Sequence, residues 1–201
     1  MVVTGSVVGL CLLTKNHYAE IRQQLVRADA LYADEPDSHD AATVPKLDAA
    51  QPAAVLLVGK HCGASMHALL WVQRLFPGHF KNFVFLAVGE VDAQSYAGPE
   101  KMQKLREIIE KSLHHYTDFF HRHGLAAAYR MAFGTDPLAE FTELTRQAMD
   151  EYPNSVCFAS KLIFTPNSFL TAWLHNKIPL AMQARLHLKS RQMIILPIKV
   201  K

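Results

Sequence analysis

The sequence predicts an α/β fold, a three-layer open parallel five-stranded sheet with four helices over residues 53–201, preceded by an N-terminal helix and a linker. Three observations predict it. Short apolar runs of strand length alternate with longer amphipathic stretches from residue 53 onward. The runs are continuously apolar, as strands covered by helices on both faces require, and the regular strand–helix alternation makes the sheet parallel. Gly59, Gly89 and Gly134 close the first three runs.

The first element is Ala54–Val58 (AVLLV), a buried strand that ends at Gly59. Ser65–Leu75 then brings Met66, Leu69, Leu70 and Trp71 round at helical spacing. Phe83–Val88 (FVFLAV) is the second strand. The stretch from Pro99 to His123 places Met102, Leu105, Ile109, Leu113, Tyr116 and Phe120 on one side, so it reads as the longest helix, with Gly124 as its stop. Residues 126–133 form the third strand. At Thr135-Asp136-Pro137 the next helix begins, Asp136 capping its free amides and Pro137 occupying a position whose N–H has no partner. That helix stops before Pro153. Ser155–Ile163 is the fourth strand with its following turn, Phe169–Leu186 the fourth helix, and Met193–Val200 (MIILPIKV) the fifth strand.

The region before residue 53 divides in two. Residues 1–13 (MVVTGSVVGLCLL) are uncharged and stop at a polar stretch that begins near Lys15. Thirteen residues are too few for a bilayer core, which takes roughly 20. The segment therefore reads as the end of a longer membrane helix, with a partner-packed helix and a signal segment as the other readings; no basic stretch precedes it and no small-residue cleavage site follows. Tyr18, Ile21, Leu25 and Ala28 continue at helical spacing, so residues 1–33 form a membrane-helix end and a juxtamembrane stalk. Residues 34–52 carry five acids and prolines 36, 45 and 52 without periodicity, and read as a linker.

Composition excludes several classes. A net charge of +3 with no basic run of five argues against nucleic-acid binding. Cys11, Cys62 and Cys157 are odd in number and widely spaced, which argues against both a disulfide framework and a structural zinc site and fits a reducing compartment.

Over roughly residues 53–200 the order of elements, the strand-closing glycines and the stretch GKHCGASMHALLWV resemble the universal stress protein domain. A second resemblance covers the whole chain. The apolar start, LTKNHYAEIRQQL, LFPGHFKNFVFLAVGEVD and the MAFGTDP turn are similar to the cytosolic C-terminal region of bacterial permeases of the amino acid-polyamine-organocation superfamily. The resemblance implies a non-enzymatic regulatory or assembly domain of an amino acid or cation transporter. It would lie on the cytoplasmic face of the plasma membrane, with the membrane part of the same transporter as partner and a homodimer paired through the fifth-strand edge.

The alternative implied by the same resemblance is a nucleotide-binding module for ATP, AMP or cyclic di-AMP. ATP-binding members of that family carry an acid after the first strand and a glycine pattern after the fourth. Here the first position holds Gly59, Lys60 and His61, and no glycine follows Gly134. Side chains would obstruct the close backbone approach that phosphates need. A ligand would meet Gly59, Lys60, His61, Gly63 and Ser65 after the first strand, Gly89 after the second, and Gly134, Thr135 and Asp136 after the third. Open parallel sheets place ligands at this carboxyl edge. The plainer reading of the first turn is a strand-to-helix connection, and of Glu90, Asp92 and Asp136 helix capping or solvation.

Cys62 beside His61 has the makings of an activated thiol, but neighbouring residues point apart and no orienting partner is evident. No catalytic residue is assigned. His114, His115, His121 and His123 crowd the end of the long helix, where cations favour the helix dipole, and their spacing does not suit a helical metal site. No metal ligand is assigned either.

Overall fold

The computed structural model describes residues 44–59, 62–91, 99–164 and 177–200; at 62–65, 67, 162–164, 177, 199 and 200 the description is of the backbone. The expected membrane-helix end and stalk (1–33), the linker up to residue 43, Lys60, His61 and the start of the fourth helix lie outside these residues. Among the described residues no helix is long and apolar enough to cross a membrane.

Among the described residues five strands and four helices alternate: β1 Ala53–Leu57, α1 Cys62–Leu75, β2 Asn82–Glu90, α2 Pro99–Arg122, β3 Ala126–Gly134, α3 Pro137–Glu151, β4 Ser155–Phe164, α4 Lys177–His187 and β5 Met193–Val200. Every strand pair is parallel, in the order β3-β2-β1-β4-β5. This is the three-layer α/β architecture of the universal stress protein type.

The order dictates the layers. Right-handed crossovers carry the chain from β1 outward to β3 on one face, and from β3 back past β1 to β5 on the other. Accordingly Ala54, Leu56 and Val58 of β1 pack with residues of α1 and α2, among them Leu69, Val72, Leu113 and Phe120. Ala53 and Val55 face the opposite core with Leu144, Ala148, Met182 and Leu186 of α3 and α4. Central β1 is covered on both sides, and its first four residues are buried. Aromatic rings fill the α1/α2 layer, with Phe83 and Phe120 centred 4.4 Å apart and Phe80 set edge-on to Phe158 at 5.5 Å.

Beyond shifts of a residue or two at element ends, two elements differ from the sequence reading. Helix α1 starts at Cys62, three residues before the expected Ser65, since a helix's first turn need not carry the apolar stripe that marks the rest. Strand β4 continues through Ser160 and Lys161 to Phe164, where the expectation placed a turn. Pairing with β5, from Cys157↔Met193 to Phe164↔Val200, supplies the backbone partners that make extended structure favourable there.

The helix ends are set by local chemistry. Helix α2 closes in a Schellman motif, with Leu125 N–H donating to Phe120 C=O, Gly124 N–H to His121 C=O, and Gly124 at φ +69°. Helix α4 closes the same way, with Arg191 N–H to Leu186 C=O and Ser190 N–H to His187 C=O, but the left-handed position belongs to Ser190 at φ 57°. On edge strand β5, Cys157 N–H donates to Gln192 C=O, so alternate residues from 192 bond to β4 and Pro197 falls on the outward set. A proline there takes nothing from the sheet and interrupts the free edge.

The last residues before β1 are fastened to the domain. Asn82, 1% exposed, accepts from Asp48 N–H (2.9 Å) and donates to the carbonyls of Asp48 (2.6 Å) and Gln51 (3.2 Å). Leu47 packs against the α3/α4 core.

Candidate functional site

The carboxyl ends of the strands, where the order reverses between β1 and β4, are the place at which an open parallel sheet offers a crevice. Gly59 lies there after β1, Gly89 near the end of β2, and Gly134 at the end of β3. Gly63 and Ser65 are in the first turn of α1, which follows the same edge. Parallel register brings Gly89 and Gly134 close, because Gly89 pairs with Phe133 and Glu90 with Gly134.

The three glycines serve different ends. Gly59 is exposed and a Cβ there would meet nothing within 4 Å. Gly89 is buried beneath Phe133: an added Cβ would lie 2.4 Å from Cδ1 of that ring and 3.0 Å from Cδ1 of Ile109. The Arg106 guanidinium sits 5.2 Å from the Phe133 ring centre, above the same contact. At Gly134 the space for a side chain is taken by Glu140, whose Oε1 would be 2.4 Å from a Cβ. Two of the three strand-end glycines are therefore glycines because the protein's own side chains lie against them.

Asp136 is committed to α3. Its Oδ1 accepts from Leu138 N–H (3.0 Å) and Ala139 N–H (3.1 Å), and its carbonyl accepts from Glu140 N–H (3.1 Å). The amides that could grip an anion at this helix start already hold a carboxylate. With Glu140 packed on Gly134, the turn carries two acids, and a phosphate arriving there would meet repulsion. Thr135 beside them is exposed.

Between β1, β2 and α2 a small cavity of about 10 Å³ is lined by Val58, Gly59, Ala87, Val88, Ile109, Ser112 and Leu113. That is room for about one water. Segments 60–61, 92–98 and 165–176, which follow β1, β2 and β4, lie outside the described residues.

His114 and His121 of α2, and His123 just beyond it, act as structural partners. His121 Nε2 is 3.0 Å from Ala127 C=O and His123 Nδ1 is 2.7 Å from Phe119 C=O. His114 Nε2 lies 3.2 Å from the Tyr129 hydroxyl. Desolvation, reinforced by Glu110, raises the Tyr129 pKa and keeps the phenol protonated. Among the described residues no group of three or more His, Cys, Asp or Glu side chains gathers as metal ligands. Cys157 is fully buried and burial pushes its thiol well above the usual range, which suppresses the reactive thiolate.

The sequence signalled the strand-end glycines but not their coverings. Phe133 and Glu140 become visible only once the β2–β3 register and the direction of α3 are known. The Asn82 tether was likewise unmarked, since a lone asparagine before an apolar run looks like any turn residue.

A scan against protein-family models finds no match. A comparison with curated proteins finds none either.

Proposed function

We propose that the chain is a non-enzymatic regulatory or assembly domain at the cytosolic face of an amino acid or cation permease, attached through its N-terminal segment. The observation that carries this reading is the occupied strand edge: Phe133 over Gly89, Glu140 against Gly134 and Asp136 on the amides of α3 leave that part of the usual ligand crevice to the protein's own side chains. The uncharged residues 1–13 and the stalk behind them support the attachment. A homodimer through the β5 edge belongs to the same reading, with Pro197 on the outward set limiting backbone pairing between two such edges. Removing residues 44–201 from the transporter that carries them should impair its transport, expression or assembly. Unchanged values of all three would overturn the proposal.

The second reading is a nucleotide sensor, and one observation favours it: Gly59 stands exposed beside open space at the point where the strand order reverses. Thermal unfolding of the full chain with ATP, AMP and cyclic di-AMP at millimolar concentration separates the two readings. A ligand held only by the folded state raises its stability. The leading proposal expects no shift with any of the three, and a shift of several degrees with one would transfer the function to nucleotide sensing.

A further inference from the structure

At the opposite end of the sheet, where strands begin and helices finish, the chain exposes apolar and basic side chains together. Of the seven most exposed large apolar side chains among the described residues, four lie here: Val44 (57%), Trp71 (40%), Leu75 (51%) and Leu188 (88%). Exposed Lys46, Arg74, Lys81 and Lys189 stand among them, and Arg74 stacks 5.5 Å from the Trp71 ring. Single exposed leucines are ordinary on soluble proteins. Their concentration at one end is the feature to be explained.

Charge is concentrated at the same end. Segments 44–52, 71–81, 119–125, 148–154 and 184–192 contain seven lysines and arginines against three carboxylates, a net of +4, so the remainder of a chain of net +3 is slightly acidic. Two of those carboxylates are engaged, Asp150 with Arg191 and Glu151 with Arg130. The third, Asp48, turns back to accept from Ala50 N–H. Basic groups in the last helical turns also complement the helix dipoles, but Lys46, Lys81 and Lys189 lie in loops beyond them.

The arrangement favours a flat occupant over a peptide. Trp71 and Leu75 come from α1 on one face of the sheet, Leu188 from the end of α4 on the other, and Val44 from the approach to β1. A groove binder would meet the groups of one sheet face, whereas an occupant that engages both α1 and the end of α4 must extend across the strand starts. Residues 44–52 also enter β1 at this end.

We infer that this end of the domain is a lipid-facing surface that docks on an anionic bilayer leaflet, with Trp71, Leu75 and Leu188 reaching the headgroup region and the surrounding lysines and Arg74 meeting the lipid phosphates. The inference rests on the proposed membrane attachment and adds an orientation: the carboxyl edge with Gly59 faces away from the membrane. Tryptophan and basic side chains are the residues that favour this interface.

The chain contains two tryptophans, so Trp173→Phe leaves Trp71 as the only emitter. The test adds vesicles of phosphatidylcholine alone, or mixed with phosphatidylglycerol, to this full-length variant and reads emission and quenching by brominated lipid. The expected result is a blue shift and quenching of Trp71 that depend on phosphatidylglycerol and weaken with salt. Each basic residue near an anionic surface contributes roughly fivefold to partitioning, so adding Leu188→Ser and Lys189→Glu, on the far face from Trp71, should weaken it about tenfold or more. Vesicle binding that leaves Trp71 unquenched, or that is equal on neutral lipid, would overturn the inference and leave the membrane-attachment reading standing. Absence of binding to either vesicle would overturn both. A Trp71 shift that follows protein concentration without lipid would assign the surface to a second copy and overturn the lipid assignment.

Discussion

Asn82 joins the entry segment to the sheet, and its replacement has a cost that follows from three hydrogen bonds. Its side chain accepts one bond from Asp48 N–H and donates two, to Asp48 C=O and Gln51 C=O, while the residue is 1% exposed. Each such bond contributes about 1 kcal/mol net, so Asn82→Ala should lose about 3 kcal/mol. With a urea m-value of about 2 kcal/mol/M, the unfolding midpoint should fall by about 1.5 M. Asn82→Asp sharpens the test. A carboxylate would keep the acceptor but set a negative oxygen against two carbonyls, so its folded pKa would rise above the unfolded value. The folded state then holds the proton longer as pH rises, and the variant loses stability between the ordinary aspartate range and its raised folded pKa. Asn82→Asp should therefore approach the parent protein at mildly acidic pH and fall well below it at neutral pH, by urea unfolding at both. A midpoint change under about 0.3 M for Asn82→Ala, or pH-independence of the Asn82→Asp deficit, would refute the tether.

Other consequences follow from single contacts. Gly89→Ala should destabilise by about 1–3 kcal/mol because its Cβ meets the Phe133 ring, and the loss should be smaller in a Phe133→Leu background, a coupling that a double-mutant cycle measures. Ser190→Gly should raise the melting temperature by about 3 °C by relieving the left-handed backbone at φ 57°, observable by calorimetry. In a Cys11→Ser, Cys62→Ser background, Cys157 should react with a disulfide reagent at mildly alkaline pH only as fast as the domain opens, because burial both hides the thiol and raises its pKa. Reaction within the mixing time would contradict that placement.

Much of the architecture was legible in the residues themselves. Apolar runs such as Ala54–Val58 and Phe83–Val88 mark strands covered on both faces, because a continuous run has no polar side for water. Asp136-Pro137 and Gly124 mark helix ends through chemistry local to the chain, and both do what the sequence implied. The extension of β4 through Ser160 and Lys161 was not legible, since the bonds that hold it extended come from β5, some 35 residues later.

The candidate site divides along the same line. Its position at the strand ends was set by element order, and so were the glycines that close the strands. What lies against those glycines is a matter of register and helix direction: Phe133 reaches Gly89 because β2 and β3 pair in one register, and Glu140 reaches Gly134 because α3 turns back over the strand it follows. The grouping of Trp71, Leu75 and Leu188 at one end has the same origin. The sequence by itself determined the order and type of the described elements and the ends set by local caps such as Asp136 and Gly124, since those choices depend on neighbours within a few residues. Tertiary structure alone decided which surfaces meet, because contacts between segments far apart in the chain exist only after the sheet has ordered its strands.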